Sequence, residues 1–252
     1  MLAYHGLGSF PRSLDPYNLM LEPTRFRAQV QALRRRGYRF VGLSELSGAL
    51  EQPPPAGVCA LTFDDGTVDN LEVLAPLLAE LELPATIFVC PGLLGTPHFA
   101  MPAAAGVRLM DERQLQELAR LPEVEIGSHT VTHADLSHAS REQAYAEMVD
   151  SKRMLEELLQ QAVPTFAYPK CDYSPECPEA ARSAAYDVAV TCAGRGGWRR
   201  FELARESIDS LDGDLTFALK SRKLFLPLRE SLPGRLATRA LRPLRHGSSS
   251  PS

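Results

Sequence analysis

The segment CALTFDDGTVDN, residues 59–70, narrows the possible folds of this chain further than any other stretch. With Val58 it opens as VCALTF, a continuous apolar run without a charged side chain. Successive strand residues point to opposite faces, so an uninterrupted run is buried on both. That pattern belongs to a parallel sheet covered by helices. The run stops at adjacent carboxylates, Asp64 and Asp65, followed by Gly66. Two readings are open. The acids cap the next helix through a turn, or they belong to a metal site in which each has its own task.

The rest of the chain supplies the alternation that a parallel sheet requires. LAYHGLG, RFVGLSEL, PATIFVC, VEIGSH, PTFAYP and DVAVTC read as further strands. Between them, TRFRAQVQALRRRGY carries Phe26, Val30 and Leu33 at helical spacing, with Gly37 as a stop. TVDNLEVLAPLLAELEL, DERQLQELARL, SREQAYAEMVDSKRMLEELLQQ and CPEAARSAA read as helices. Such alternation predicts a parallel α/β architecture. Polar clusters fall at the C-terminal ends of several strands, which favours a barrel over a doubly wound sheet. From Pro91 to about Val107 the Gly- and Pro-rich segment reads as an irregular, mobile loop.

At 252 residues, with 44% hydrophobic and 23% charged content, the chain suits one large soluble domain, placed at residues 1–219. The net charge of −4 is unevenly spread. From Lys220 onward eight Lys or Arg face one acid, whereas the remainder holds 19 basic and 30 acidic residues. Residues 220–252 therefore form a basic C-terminal segment with a Ser-rich, disordered end. Leu224, Phe225, Leu226 and Leu228 within it make peripheral membrane contact one expectation, against a solvated tail. Nucleic-acid binding is excluded by the acidic body and the lack of aromatic–basic interleaving.

No apolar run approaches the roughly 20 residues of a membrane span. The opening MLAYHGLGSF has no basic and apolar leader pattern, which sets a cytoplasmic expectation. The five cysteines contain no CxxC pair. Cys59 and Cys90 read as small buried hydrophobes. Cys171 and Cys177 are a conceivable pair under oxidation, but a reducing compartment is the preferred reading.

EIGSHTVTH places His129 and His133 four apart at the end of a strand. The β-branched Thr130, Val131 and Thr132 favour an extended loop there over a helix. Two imidazoles and one carboxylate make a first shell for a catalytic zinc-type ion with positions left open. Capping or surface histidines are the alternative.

TFDDG followed about 60 residues later by SHTVTH resembles the polysaccharide deacetylase family, metal-dependent carbohydrate esterases that remove N-acetyl groups. LAYHGLG, RFRAQVQALRRRGYRFVGLSEL, PATIFVCPG and FAYPK are similar to segments of one subgroup, and the resemblance covers most of residues 1–210. It implies a distorted, incomplete (β/α) barrel, commonly of seven parallel strands. It implies Asp64 as general base and Asp65, His129 and His133 as ligands of a divalent metal ion. Zinc comes first among the candidate ions, and cobalt or nickel also suits this donor set. Backbone N–H groups near Tyr168 would hold the oxyanion.

Three departures from the family pattern matter. The arginine of the third motif, which orients the base in classical members, corresponds here to Ala167. Arg205 in FELARES resembles a Leu-Pro-Arg segment of the subgroup and is the candidate replacement, against a surface or structural ion pair. After FAYP this chain has Lys170 and Cys171, which alters a loop on the substrate side. The late histidine that serves as general acid has no equivalent, since His246 lies in the tail. His5, at the end of the first strand, is the substitute, against a purely structural histidine. His98 and His138 read as solvated, and Trp198 as either a sugar platform or local packing.

The function expected is metal-dependent removal of N-acetyl groups from a sugar in a polysaccharide, oligosaccharide or glycolipid. Hydrolysis of another non-peptide C–N amide on this scaffold is one alternative. A non-catalytic glycan-binding relative is another, though a pure binder has no need of a base at Asp64.

Overall fold

The computed structural model describes residues 1–48, 50, 57–192 and 195–221. Seven parallel strands close into a barrel: β1 (Leu2–Tyr4), β2 (Leu61–Phe63), β3 (Ala85–Val89), β4 (Val124–Ser128), β5 (Thr165–Ala167), β6 (Val188–Cys192) and β7 (Leu203–Ser207). Neighbours in the ring are neighbours in the chain, and β7 returns to β1 with Leu2 opposite Glu206. The barrel is incomplete only in having seven strands where eight are usual. Its hydrogen-bonded ring is closed.

Helices cover the outside: α1 (Pro23–Arg35), α2 (Leu43–Ser47), α3 (Ala75–Leu81), α4 (Glu112–Leu118), α5 (Arg141–Leu159), α6 (Cys177–Ser183) and α7 (Asp214–Lys220). Pro23 starts α1 at a position where its missing N–H costs nothing. Asp111 and Ser140 start α4 and α5 through reciprocal capping boxes with Gln114 and Gln143. Gly37, with φ near +80°, turns the chain after α1. α1 buries Phe26, Gln29, Val30 and Leu33 on one stripe, and Phe26 meets Tyr4 and Phe63 ring to ring. Leu61 and Phe63 thus pack outward on the helices, and alternation turns Thr62 and Asp64 toward the barrel interior.

The barrel draws its seven strands from a different set than the sequence suggests. RFVGLSEL is not one strand: Arg39–Phe40 pairs with Val58–Cys59 outside the ring, and Gly42 then caps α2. VCALTF is correspondingly divided, with only Leu61–Phe63 in the barrel. The missing barrel strand is β7, from FELARES, whose Arg205 and Glu206 are both buried. Two adjacent charged residues hid a core strand. The segment from Pro91 to Val107 is also more ordered than expected. Two short 3-10 turns and an antiparallel bridge from Pro97 to Arg108 order it, and the next residue, Leu109, bridges Thr67.

The cysteine reading is corrected as well. Cys171 and Cys192 form a disulfide, while Cys177 is free and buried. β5 and β6 are adjacent in the ring and deliver Cys171 and Cys192 to the same end, with Cα atoms 5.3 Å apart. Cysteine usage therefore no longer argues for a reducing compartment.

Among the described residues, no helix is long and apolar enough to cross a membrane. Packing continues through Ser221, whose carbonyl accepts from the Tyr38 hydroxyl. The remainder of the basic C-terminal segment, including its leucines, Phe225 and His246, lies outside the described residues.

Close packing between β3 and β4 depends on Gly127, opposite Phe88. A Cβ at Gly127 would overlap the Phe88 ring and lie 2.7 Å from Thr165 Oγ1. Gly127→Ala should therefore cost about 1–3 kcal/mol, read as a lower denaturant midpoint with an unchanged slope.

Candidate active site

The C-terminal rim of the barrel brings the two acids to their places by backbone geometry. Asp64 is still part of the ladder, donating its N–H to Tyr4 O at 2.9 Å. Asp65 and Gly66 then adopt left-handed conformations, with φ of 76° and 71°. Aspartate tolerates that region better than most side chains. The reversal at Asp65 sends neighbouring carboxylates in different directions.

Asp64 meets Arg205, which β7 carries into the barrel interior. Arg205 Nη1 donates to Asp64 Oδ1 at 2.7 Å and Nη2 to Oδ2 at 2.9 Å. Nη1 also donates to Thr62 Oγ1, and the guanidinium lies 5.3 Å from the centre of the Phe88 ring. Arg205 is fully buried, so the surface reading of this residue is wrong. Burial by itself would raise the Asp64 pKa. The charge of Arg205, then that of His129, and the Arg205 hydrogen bond outweigh it and lower the pKa below the usual carboxylate range.

Asp65 faces the histidines. Its Oδ1 lies 3.6 Å from His133 Nε2 and 3.7 Å from His129 Nε2. One donor atom from each of these three residues falls within 4.8 Å of the others. Ligands around a tetrahedral zinc ion stand roughly 3.3 Å apart, given bonds of about 2.0–2.1 Å. His129 Nδ1 pairs with Ala167 O at 2.8 Å, and a carbonyl can only accept. A ring hydrogen therefore sits on Nδ1, which leaves Nε2, the nitrogen facing Asp65, as the one that could bind a metal ion. Asp65 Oδ1 is buried without a hydrogen-bond partner. Burial, and then the neighbouring His129, push the His133 pKa down to about 4, so its ring is neutral near pH 7. An orphaned anionic oxygen beside two imidazole nitrogens fits a divalent cation.

The loop bearing the histidines is strained and well tied. Thr130 and His133 both have positive φ, 66° and 56°, and Thr130 is β-branched. Glu147 of α5 accepts from the N–H of Val131 at 2.8 Å and from the Thr132 N–H and hydroxyl. Thr130 Oγ1 accepts from Ala134 N–H at 3.0 Å. A glutamate in mid-helix gave no sign of this task in sequence.

Other expectations divide. His5 follows β1 at the rim, half-buried and close enough for its charge to act on both Asp64 and Asp65. Tyr168 itself has its N–H committed to Val190 O and its hydroxyl to Phe201 O, within a hydrophobic cluster. Neither group is free to bind an oxyanion. His98 is corrected. It is buried, with Nε2 3.2 Å from Asp65 Oδ2, and its ring stacks on Phe99. Nothing periodic in its Gly- and Pro-rich surroundings marked it. His138 is exposed, as expected. Trp198 packs locally, against the cluster that includes Val41, Leu43 and Val188. Lys170 is exposed and pairs with Asp135 at 3.2 Å.

Comparison with known proteins matches residues 51–189 to the family model described as polysaccharide deacetylase. YxkH of Bacillus subtilis (strain 168), named for the same family, is 30% identical over 193 residues. That match covers 76% of this chain and 63% of YxkH, so the chain spans under two thirds of that relative's length. Among solved structures, the Streptococcus pyogenes deacetylase PplD in complex with acetate is 27% identical, with a TM-score of 0.73 over 88% of this chain and 96% of that one. IcaB from Ammonifex degensii, 20% identical, has a TM-score of 0.71 over 91% of this chain and 96% of that one. The latter shows a shared fold.

The buried pair generates a stability test. Removing one partner of such a pair strands the other charge, so Arg205→Met should destabilise the fold by about 3–5 kcal/mol. Adding Asp64→Asn to that background should recover part of the loss in a double-mutant cycle.

Proposed function

The chain belongs to the polysaccharide deacetylase family, and from that premise we propose that it is a metal-dependent hydrolase removing N-acetyl groups from a sugar in a polysaccharide, oligosaccharide or glycolipid. The observation that carries this reading is the buried, doubly bonded Arg205–Asp64 pair set beside Asp65, His129 and His133. A protein that only bound glycans could use this pair for stability, but would have no need of its carboxylate as a base beside three metal-binding side chains. PplD was solved in complex with acetate, the acid that this reaction releases.

Asp65, His129 and His133 hold the ion in this reading. When bound, the ion, zinc by preference, supplies polarisation of the amide carbonyl and acidification of the attacking water. Asp64 takes the proton from that water as its oxygen bonds to the carbonyl carbon. Each Asp64 oxygen already accepts one hydrogen bond and keeps a lone pair for the proton. Arg205 fixes the carboxylate plane, the task that Ala167 cannot perform. His5 stands on the same rim and delivers a proton to the amine nitrogen as the C–N bond breaks, giving acetate and a free amino sugar.

Asp64→Asn should abolish acetate release from N-acetylated oligosaccharides and glycolipids, measured with an acetate-coupled assay. Chelation should do the same reversibly, with zinc or cobalt restoring activity. Unchanged release in either case would exclude the assignment. With its pKa held below the usual carboxylate range, Asp64 stays ionised through mildly acid pH. In Arg205→Lys the fork is lost and burial acts less opposed. The acidic limb of kcat/KM should therefore move to higher pH.

A further inference from the structure

Asp65 has two carboxylate oxygens in different surroundings. Oδ1 is buried without a hydrogen-bond partner and faces His129 and His133. Oδ2 meets His98 Nε2 at 3.2 Å. His98 lies outside both sequence motifs, in the segment joining β3 to α4, yet it is 4% exposed. Its other ring nitrogen settles the chemistry of the contact. His98 Nδ1 lies 3.1 Å from the Ala100 N–H, a backbone donor that can only be met by a lone pair. The ring hydrogen is therefore on Nε2, which donates to Asp65 Oδ2.

The ring itself is fixed from several sides. His98 N–H donates to Val107 O at 3.0 Å, within the antiparallel pairing between Pro97 and Arg108. Phe99 stacks on His98 with centroids 4.7 Å apart and meets His133 at a tilt, with centroids 4.2 Å apart. One loop thus braces a ligand carboxylate through His98 and covers a ligand imidazole through Phe99.

We propose that His98 is a positioning residue of the metal centre: its Nε2–H holds Asp65 Oδ2, so that Asp65 offers the ion a single oxygen, Oδ1, in a fixed orientation. This rests on the metal-site reading above. Without the donor, Oδ2 is a bare buried oxygen and the carboxylate is free to turn or to bind through both atoms. Outer partners that orient a ligand in this way are worth about 10–100-fold in metal affinity. The role requires a hydrogen at the Nε2 position rather than an imidazole as such. Glutamine places an amide nitrogen at that distance from the backbone and asparagine does not.

The test is zinc affinity of the purified full chain, measured by competition with a chromophoric chelator and independent of turnover. His98→Ala and His98→Asn should bind zinc 10–100-fold more weakly than the wild type, while His98→Gln should stay within about threefold. Cobalt-loaded His98→Ala should also show a changed visible spectrum, reporting altered coordination, and His98→Gln should not. Wild-type affinity in the alanine and asparagine variants would overturn the proposal, as would a loss in His98→Gln equal to theirs. A wild-type chain that binds no zinc would instead refute the metal-site reading on which it rests.

Discussion

A guanidinium enclosed in a barrel has no water to solvate it, so its charge must be answered by the protein. Arg205 is answered by Asp64 through two hydrogen bonds and by Thr62 through a third. This pair ties β7 to β2 from inside the barrel, with the short β1 between them. It also shifts the titration of Asp64, the base in the proposed reaction. Burial raises the Asp64 pKa, and the arginine, together with His129, more than offsets it. A core contact and the placement of the proposed base thus rest on the same bonds.

From that pair the rest of the site follows outward. Asp64 is held by the last ladder hydrogen bond, and the left-handed turn at Asp65 separates it from its neighbour. Asp65 then lies among imidazoles whose ring hydrogens are fixed by outside partners: Ala167 O for His129 and Ala100 N–H for His98. Glu147 ties down the loop bearing His133. The strained torsions at Asp65, Thr130 and His133 fall at the residues that converge, where surrounding bonds can hold them.

Much of this was legible in sequence where local pattern and chemistry coincide. The paired acids after an apolar run and the two histidines four apart are strong local signals, and both sit at the rim. Seven strands were counted, but one was misplaced. RFVGLSEL has the composition of a strand, yet Gly42 ends it and starts a helix. FELARES carries two charged residues and still enters the barrel, because Arg205 finds Asp64 across 141 residues of chain. His98 was hidden for the same reason. Its partner is 33 residues away, and nothing near it in sequence repeats.

By itself the sequence determined the class of fold and the donor types. Alternating apolar strands and amphipathic helices require a covered parallel sheet, and the acid and histidine motifs belong to a known family pattern. Only the tertiary structure decided which side chains converge. It set Arg205 against Asp64, buried Tyr168 in the packing and brought His98 to Asp65. The physical reason is that burial and hydrogen bonding across the barrel are set by strand register and loop return. Those depend on how distant segments meet rather than on any window of the chain.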